Sequence, residues 1–257
     1  MPVPVLLPTA ASDATYAGVT YHIQGELVPV LSLEIQQMPV YFEHHILLWK
    51  DPTIMVGLKP LQGAFKRILA GMPIFMTETQ GVGRIAFSRD GAGHVFPIHL
   101  NTGQGIEVRE HQFLAATSNV DYNFRWVKGV ANILVGGTGL FIDTFSCQSG
   151  EGVVWLHGYG NVFEVNLGPG EQIDIEPGGW IYKDATVQMD TQFQGLKSSI
   201  FASAGRLFWN RFTGPGRVGV QSMSMPAVGA TDTGASTAQS AGALGCLMAI
   251  LKALLRG

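Results

Sequence analysis

The seven histidines are the first residues to consider for chemistry, because imidazole binds metals and transfers protons near neutral pH. His44 and His45 are adjacent, so on a strand they point to opposite faces and cannot bind one metal ion together. His94 and His99 are five residues apart, which also places them on opposite faces of a regular strand. A cupin-type metal site needs His-x-His with further ligands, and no His-x-His occurs in the chain. We therefore predict no metal site and no cofactor.

The sequence also contains no motif typical of nucleophilic or acid–base catalysis. The chain has no Gly-x-Ser-x-Gly elbow, and Cys147 lies between Ser and Gln without an obvious base. Asp174 and Glu176 share one face of a strand, but carboxylates on an exposed face are usually solvated. We predict that the protein has no catalytic residues and is not an enzyme.

The amino-acid composition indicates which kinds of partner the protein binds. The net charge of −3 argues against a protein that binds nucleic acid by neutralising phosphates. Only 14% of residues are charged while 46% are hydrophobic, so we expect other subunits, a membrane or both to cover part of the apolar surface. The 33 glycines and 13 prolines favour many short strands over long helices.

The cysteines and the N-terminal region indicate the cellular compartment of the protein. Cys147 and Cys246 fit no disulfide framework and no zinc spacing, which favours a reducing compartment. A secretory signal needs a basic residue before its apolar stretch, and a transit peptide needs arginines. The first lysine here is Lys50 and the first arginine is Arg67, so we expect neither kind of targeting segment. No window reaches 18 apolar residues without a break. We expect a cytoplasmic protein of a bacterial type, or one located peripherally at the inner face of a membrane.

An internal repeat of about 66 residues is the strongest feature of the sequence. Apolar residues, phenylalanines and glycines each recur at spacings of 66 or 67 residues in the same order. The recurring positions are Leu33, Leu100 and Leu167; Leu48, Leu114 and Ile181; Gly63, Gly129 and Gly195; and Phe75, Phe141 and Phe208. Apolar and polar residues alternate within the units, which is typical of strands with one buried face. We predict an all-β protein of three tandem β-rich repeats.

Several motifs resemble one known family. They are the run from Gly63 to Gly71, GAFKRILAG, the run from Ile74 to Gly81, and Phe212-Thr213-Gly214-Pro215-Gly216. Together with Phe113-Leu114-Ala115, they are similar to the altered-inheritance-of-mitochondria protein 24 family over about residues 16–225.

The resemblance implies a fold like that of the tryptophan RNA-binding attenuation protein, a double-stranded β-helix unit present three times. It also implies trimers, which would form a ring of nine similar units, and no established enzymatic activity. Mitochondrial members of the family are linked to inner-membrane organisation. This chain differs from the family at both ends, so we expect an N-terminal arm at 1–15 and a triplicated β domain at 16–226.

The C-terminal extension is unlike the rest of the chain. Residues 227–241 are rich in Gly, Ala, Ser and Thr, which indicates a flexible linker, and residues 242–257 are predicted to form an amphipathic helix. One apolar face and two basic residues on the other side define this helix: Leu244, Leu247, Met248, Leu251, Leu254 and Leu255, with Lys252 and Arg256. At roughly 20 Å it is too short to span a bilayer, so it must dock on protein or on a membrane surface.

Three functions follow from these observations. The first is a non-catalytic oligomeric scaffold, assembled with itself as a homotrimer or a multiple of three, whose C-terminal helix serves assembly or docks a protein partner. The second is a peripheral membrane-organising protein anchored by the same helices. The third is a small-molecule or metal-binding β-helix enzyme.

Overall fold

The structure is a computed structural model that describes residues 2–8, 12–60, 75–89, 91–127, 140–193 and 208–223. These residues form antiparallel β-strands and one short 3-10 turn at His44–Ile46. The prediction of an all-β protein is therefore confirmed. No helix in these ranges is long and apolar enough to cross a membrane.

Three strands precede the predicted repeats. They are β1 (Val5–Leu6), β2 (Ser12–Tyr16) and β3 (Val19–Gln24). β2 and β3 form a hairpin, and β1 pairs with a strand that lies far along the chain. The predicted boundary between arm and domain, at residue 16, lies at the last residue of β2.

The remaining strands fall into three consecutive segments of six. The first segment, residues 30–87, contains β4 (Val30–Ile35), β5 (Val40–Phe42), β6 (Leu47–Lys50), β7 (Met55–Pro60), β8 (Phe75–Gln80) and β9 (Gly83–Phe87). The second, residues 93–159, contains β10 (Gly93–Asn101), β11 (Gly105–Arg109), β12 (Phe113–Thr117), β13 (Val120–Val127), β14 (Leu140–Cys147) and β15 (Glu151–Tyr159). The third, residues 162–221, contains β16 (Val162–Leu167), β17 (Gln172–Ile175), β18 (Trp180–Asp184), β19 (Gln188–Phe193), β20 (Phe208–Thr213) and β21 (Gly216–Gln221).

Each segment pairs its six strands in the same way. The first and third strands pair with the sixth, and we call these three strands half-sheet A. The second and fourth strands pair with the fifth, and we call these three strands half-sheet B. Every segment therefore contributes two half-sheets of three strands.

Neighbouring segments are joined through their half-sheets. At the first junction, β5 of the first segment pairs with β12 of the second, which makes one six-stranded sheet. At the second junction, β11 of the second segment pairs with β18 of the third, and β1 is added at the far edge. Half-sheet A of the first segment, extended by β3 and β2, and half-sheet B of the third segment remain as separate sheets.

The hydrophobic core lies between successive sheets in three clusters. In β4, which lies in the middle of its five-stranded sheet, burial alternates: Leu31, Leu33 and Ile35 are buried and the residues between them are less so. β15 belongs to a middle sheet and is buried on both faces: Val153 and Trp155 enter one cluster while Val154 and Leu156 enter the next. A strand in a middle sheet has both faces buried, which explains why the apolar residues of β15 follow one another without alternation.

The third strand of each segment carries a β-bulge at the same place. Its pairing with the sixth strand skips Leu48 in the first segment, Leu114 in the second and Ile181 in the third. A bulge adds one unpaired residue and bends the strand. These three residues are one of the sets predicted from the 66-residue spacing.

Glycine opens the sixth strand of the first and third segments at a tight corner. Gly83 and Gly216 have φ angles of +151° and +137°, which L residues with a side chain rarely adopt. A Cβ atom at either glycine would lie 2.7 Å from the Oγ1 atom of Thr53 or Thr186, respectively. Backbone conformation and close packing therefore both require glycine here.

Candidate functional site

Strand β6 presents an exposed apolar edge. In the described part of the chain it ends its sheet, and the relative exposures of Leu48 and Trp49 are 55% and 43%. The residues at the corresponding positions of β12, Leu114 and Ala115, are 0% exposed. A strand edge with unpaired backbone groups and apolar side chains readily pairs with another strand.

Strand β17 is a second strand at the end of a sheet, and it belongs to the last segment as β6 belongs to the first. It ends the three-stranded sheet of half-sheet B in the third segment, as far as the structure describes the chain. Its counterparts β5 and β11 are both paired on this side. Ile173 is half-buried, whereas Val40 and Ile106 at the corresponding positions are buried.

Strand β6 ends at Lys50 and is followed by Asp51, and both side chains make hydrogen bonds to the backbone nearby. Lys50 Nζ donates a hydrogen bond to the Ile54 carbonyl at 2.8 Å. Asp51 accepts a hydrogen bond from the Arg84 backbone N–H at 2.9 Å, and this bond is the main cause that lowers the pKa of the Asp51 carboxyl. Arg84 Nε lies 3.4 Å from the same carboxylate oxygen.

The same contacts recur at the end of β18. Lys183 Nζ donates to the Val187 carbonyl at 2.6 Å. Asp184 accepts a hydrogen bond from the Arg217 backbone N–H at 2.8 Å and two more from its guanidinium group at 3.0 and 3.1 Å.

In the second segment the position of these two aspartates is occupied by a threonine. Thr117 Oγ1 accepts a hydrogen bond from the Val153 backbone N–H at 3.1 Å. Val153 follows the corner glycine Gly152, just as the arginines of the other two segments follow theirs. The backbone hydrogen bond is therefore kept where the ion pair is lost.

The second junction contains a buried ion pair. Lys183 is 2% exposed, and its Nζ atom lies 3.1 Å from Glu107 Oε2 on the neighbouring segment. The same carboxylate oxygen is 2.5 Å from the Arg125 guanidinium. Burial lowers the pKa of Lys183, and the Glu107 charge opposes that shift. The acid therefore lies between two cations, one of them from the next segment.

Asp174 is the residue of β17 that corresponds to Glu107. Its carboxylate accepts two hydrogen bonds from Arg211, at 2.7 and 2.8 Å. These bonds are the first cause that lowers the pKa of Asp174. The sequence had indicated a solvated carboxylate here, and the structure places it in a bidentate ion pair at the edge of a sheet.

The histidines are distributed over separate places. His94 and His157 are buried on the neighbouring strands β10 and β15, and burial, followed by the charge of Arg89, lowers the pKa of His157 to about 4. His99 stacks on Tyr16 with ring centroids 4.0 Å apart. His45 and His111 are exposed. Within the described ranges, no group of three His, Cys, Asp or Glu residues is arranged to hold a metal ion.

The predicted repeat positions lie as follows. Leu33, Leu100 and Leu167 are buried in the first strands of their segments. Phe75, Phe141 and Phe208 lie in the fifth strands, where their backbone positions pair in register with Pro60, Trp126 and Phe193. Leu48, Leu114 and Ile181 are the bulge residues. Gly63, Gly129 and Gly195 lie outside the described residues, as does the predicted linker and helix with Leu244, Leu247, Met248, Leu251, Lys252, Leu254, Leu255 and Arg256.

Strand pairing corrects the alignment of the first segment by two residues. Leu100 and Leu167 lie opposite the corner glycines Gly152 and Gly216. In the first segment it is Ile35 that lies opposite Gly83, while Leu33 lies opposite Ile85. Positions two apart on a strand share a face, so both leucine and isoleucine satisfy the same apolar pattern.

The sequence drew attention to Leu48 and Asp174, but it did not indicate that Lys50 and Asp51 lie at the edge of a sheet. Lys50 and Asp51 recur as Lys183 and Asp184 in the aligned segments, so the dipeptide was the available signal. Its meaning depends on strand pairing, because only the fold brings Glu107 next to Lys183.

Known proteins place this chain in a family. Seven solved chains match it. One is a Streptococcus pyogenes protein, solved by X-ray crystallography in a structural genomics consortium, with a TM-score of 0.63 and 20% identity. That match covers 80% of this chain and 94% of the other, and at this identity it shows the fold alone. A comparison with curated proteins finds no match. The model of the family described as mitochondrial biogenesis AIM24 matches residues 21–223, which confirms the resemblance seen in the motifs, and the chain belongs to this family.

Proposed function

We propose that the protein is a non-catalytic oligomeric scaffold whose chains join through the edges of β6 and β17 into a trimer-based ring. The observation that carries the proposal is the pair of terminal half-sheets. Two complete junctions each combine a half-sheet B with a half-sheet A, and one half-sheet of each kind is left over in the described chain.

The proposal includes three tandem copies of one β unit. Identical pairing in the three segments supports triplication, as do the bulges at Leu48, Leu114 and Ile181. The hydrogen bond from the residue after the corner glycine supports it further, since Asp51, Thr117 and Asp184 accept it in turn. Each copy is a short double-stranded β-helix unit of the attenuation-protein type.

Apolar exposure gives the free-energy reason for association. Leu48 and Trp49 are exposed in the single chain, while Leu114, Ala115, Ile181 and Tyr182 at the corresponding places are completely buried at the internal junctions. Burying apolar surface is favourable by roughly 25 cal/mol per Å². Pairing of the β6 edge removes this surface from water and satisfies the strand's backbone groups.

Two different surfaces that fit each other produce a head-to-tail contact. Such a heterologous contact forms a closed ring when its rotation closes, and a filament when it does not. The family resemblance favours closure by three chains, which gives a ring of nine units.

The C-terminal helix belongs to the proposal as an assembly or docking element. It is too short to cross a bilayer, and it carries an apolar stripe that must be covered. We place it on protein, either on the ring or on a partner. The alternative occupant is a membrane surface at the inner face of a membrane, which would make the protein a peripheral membrane organiser.

The first test measures mass in solution. Light scattering coupled to size exclusion should give three chain masses for the full-length protein. Leu48→Lys introduces a charge at the β6 edge and should yield monomers that keep the β circular-dichroism spectrum. Leu27→Lys is the control, because Leu27 is also exposed, at 76%, but lies in the connection between β3 and β4 rather than in an edge strand. A monomeric wild-type protein, or an intact trimer in Leu48→Lys, contradicts the proposal.

The second test removes residues 228–257. A smaller assembly after deletion assigns the helix to the ring. An unchanged ring that loses flotation with anionic liposomes assigns the helix to a membrane surface and supports the alternative.

A further inference from the structure

We infer that the β6 edge takes β17 of a second copy of this chain in one register, with Lys50 bound to Asp174 of that copy. The inference rests on the proposed assembly and specifies its interface. It identifies the partner by a register that the chain already uses twice, and by a matched pair of charges.

The two internal junctions use one register. At the first junction, the second strand faces the third strand of the next segment through Phe42–Ala115, Tyr41–Ala116 and Val40–Thr117. At the second junction, the corresponding residues pair as Val108–Tyr182, Glu107–Lys183 and Ile106–Asp184. Each pair in the second set stands at the same distance from the bulge as its counterpart in the first.

Applying this register to the edges of β6 and β17 gives one set of contacts. Relative to the bulge at Leu48, the residues of β6 correspond one by one to those of β12 and β18. The residues of β17 correspond likewise to those of β5 and β11, through their pairing with the fifth strands. The resulting intermolecular pairs are Trp49–Ile175, Lys50–Asp174 and Asp51–Ile173.

The central pair repeats the chemistry of the second junction. There, Glu107 lies between Arg125 of its own segment and Lys183 of the next. At the proposed interface, Asp174 already has Arg211 of its own segment and would receive Lys50 from the next chain. Both arrangements combine one carboxylate with two cations, so the charges match without a change in either strand.

Lys50 already has the conformation that this contact needs. Its Nζ atom donates to the Ile54 carbonyl, as Lys183 donates to the Val187 carbonyl. Lys183 makes that hydrogen bond and the contact with Glu107 at the same time. Binding of Asp174 therefore requires little loss of side-chain freedom on Lys50.

One flanking pair, Trp49–Ile175, is apolar, as Phe42–Ala115 and Val108–Tyr182 are at the two internal junctions. Ile175 is buried on its own sheet and faces Trp49, which is exposed in the single chain. A partner strand without a carboxylate at the central position would leave the lysine unpaired as its surroundings lost water, which is costly. The edge therefore selects another copy of this chain over an arbitrary β-strand.

Register is tested by disulfide trapping. In a Cys246→Ser background, Lys50→Cys with Asp174→Cys places two cysteines directly opposite each other, within the range of Cα separations that a disulfide accepts. Mild oxidation should give covalent dimers and trimers on a non-reducing gel. Lys50→Cys with Gln172→Cys is the matched control, since Gln172 is exposed on the same strand face but two residues out of register. Stronger trapping in the control would overturn the inferred register.

The ion pair is tested by two substitutions at one exposed site. Lys50→Glu brings two carboxylates together and should raise the dissociation constant of the assembly at least tenfold, whereas Lys50→Met should have a much smaller effect. Equal effects of the two variants would overturn the role of the charge. If the wild-type protein is monomeric, the proposed assembly fails; if it is oligomeric but the in-register cysteines remain untrapped, only this interface fails.

Discussion

Lys183 Nζ lies 3.1 Å from Glu107 Oε2 across the second junction, at a place where the lysine is 2% exposed. Two sheet segments are thus held by a charge pair whose lysine is buried, while the side chain of Glu107 keeps 17% exposure. Removing one member leaves the other buried without full compensation, which costs more than the intact pair contributes.

We predict that Glu107→Gln destabilises the protein by about 3 kcal/mol, because Lys183 and Arg125 lose their shared carboxylate. Urea denaturation followed by tryptophan fluorescence measures the change. Glu26→Gln is the control, since Glu26 is exposed in a turn, and it should change stability by less than about 0.5 kcal/mol. Equal stability of the two variants contradicts a structural role for the pair.

Thr117 offers a prediction that depends on one hydrogen bond. Thr117→Val keeps the shape of the side chain but removes the acceptor of the buried Val153 N–H. We expect a loss of about 1–2 kcal/mol, since an unsatisfied buried donor keeps its desolvation penalty. Thr15→Val is the matched control, because the Thr15 hydroxyl bonds to Thr20 at an exposed site. The expectation fails if both valine variants unfold at the same denaturant concentration as the wild type.

His157 makes stability depend on pH. Burial, followed by the charge of Arg89, lowers its pKa from 6.5 to about 4, so the folded protein keeps the ring neutral while the unfolded chain binds a proton below about pH 6.5. The free energy of unfolding therefore falls as the pH drops from about 6.5 toward 4.

The size of this effect can be isolated by mutation. Between about pH 7.5 and pH 5, His157 should account for a loss of about 2 kcal/mol. His157→Gln places a neutral residue there, as Gln221 is in the third segment, and should remove that part of the pH dependence. Thr15→Val, which removes no titratable group at an exposed site, should leave the pH dependence as it is in the wild type. A His157→Gln protein with the wild-type slope contradicts the assignment.

The strands could be predicted because their pattern is local. Alternating burial in β4, with Leu31, Leu33 and Ile35 inward, follows directly from the alternating residue types. The spacing of Leu48, Leu114 and Ile181 also carried structural meaning, since all three are bulge residues. The register of the strands could not be predicted in this way. A shift of two residues keeps every side chain on the same face of the sheet, so the pattern does not distinguish Leu33 from Ile35.

The site could not be predicted because it depends on pairing between distant strands. Leu48 and Leu114 are the same residue type at the bulge of the third strand of their segments, yet one is 55% exposed and the other fully buried. The difference arises from the neighbouring strand: β12 pairs with β5, whereas β6 ends its sheet in the described chain. Residue type and local spacing contain no information on which of the three segments ends the series.

The aspartates at the ends of β6 and β18 should differ in their contribution to stability. Asp184 accepts the Arg217 N–H and two guanidinium hydrogen bonds at a half-buried site, where removal of a charged acceptor costs about 2 kcal/mol. Asp51 makes the same backbone contact, but Arg84 is 61% exposed and its Nε atom is 3.4 Å away, so solvent screens the pair. We expect Asp184→Ala to lower the urea midpoint clearly more than Asp51→Ala when both are measured at low protein concentration, where the proposed assembly dissociates. At high concentration the two losses should approach each other, because the neighbouring chain then covers Asp51 as Asp184 is covered within the chain. A difference between the two variants that does not depend on protein concentration would show that the Asp51 corner stays open to solvent.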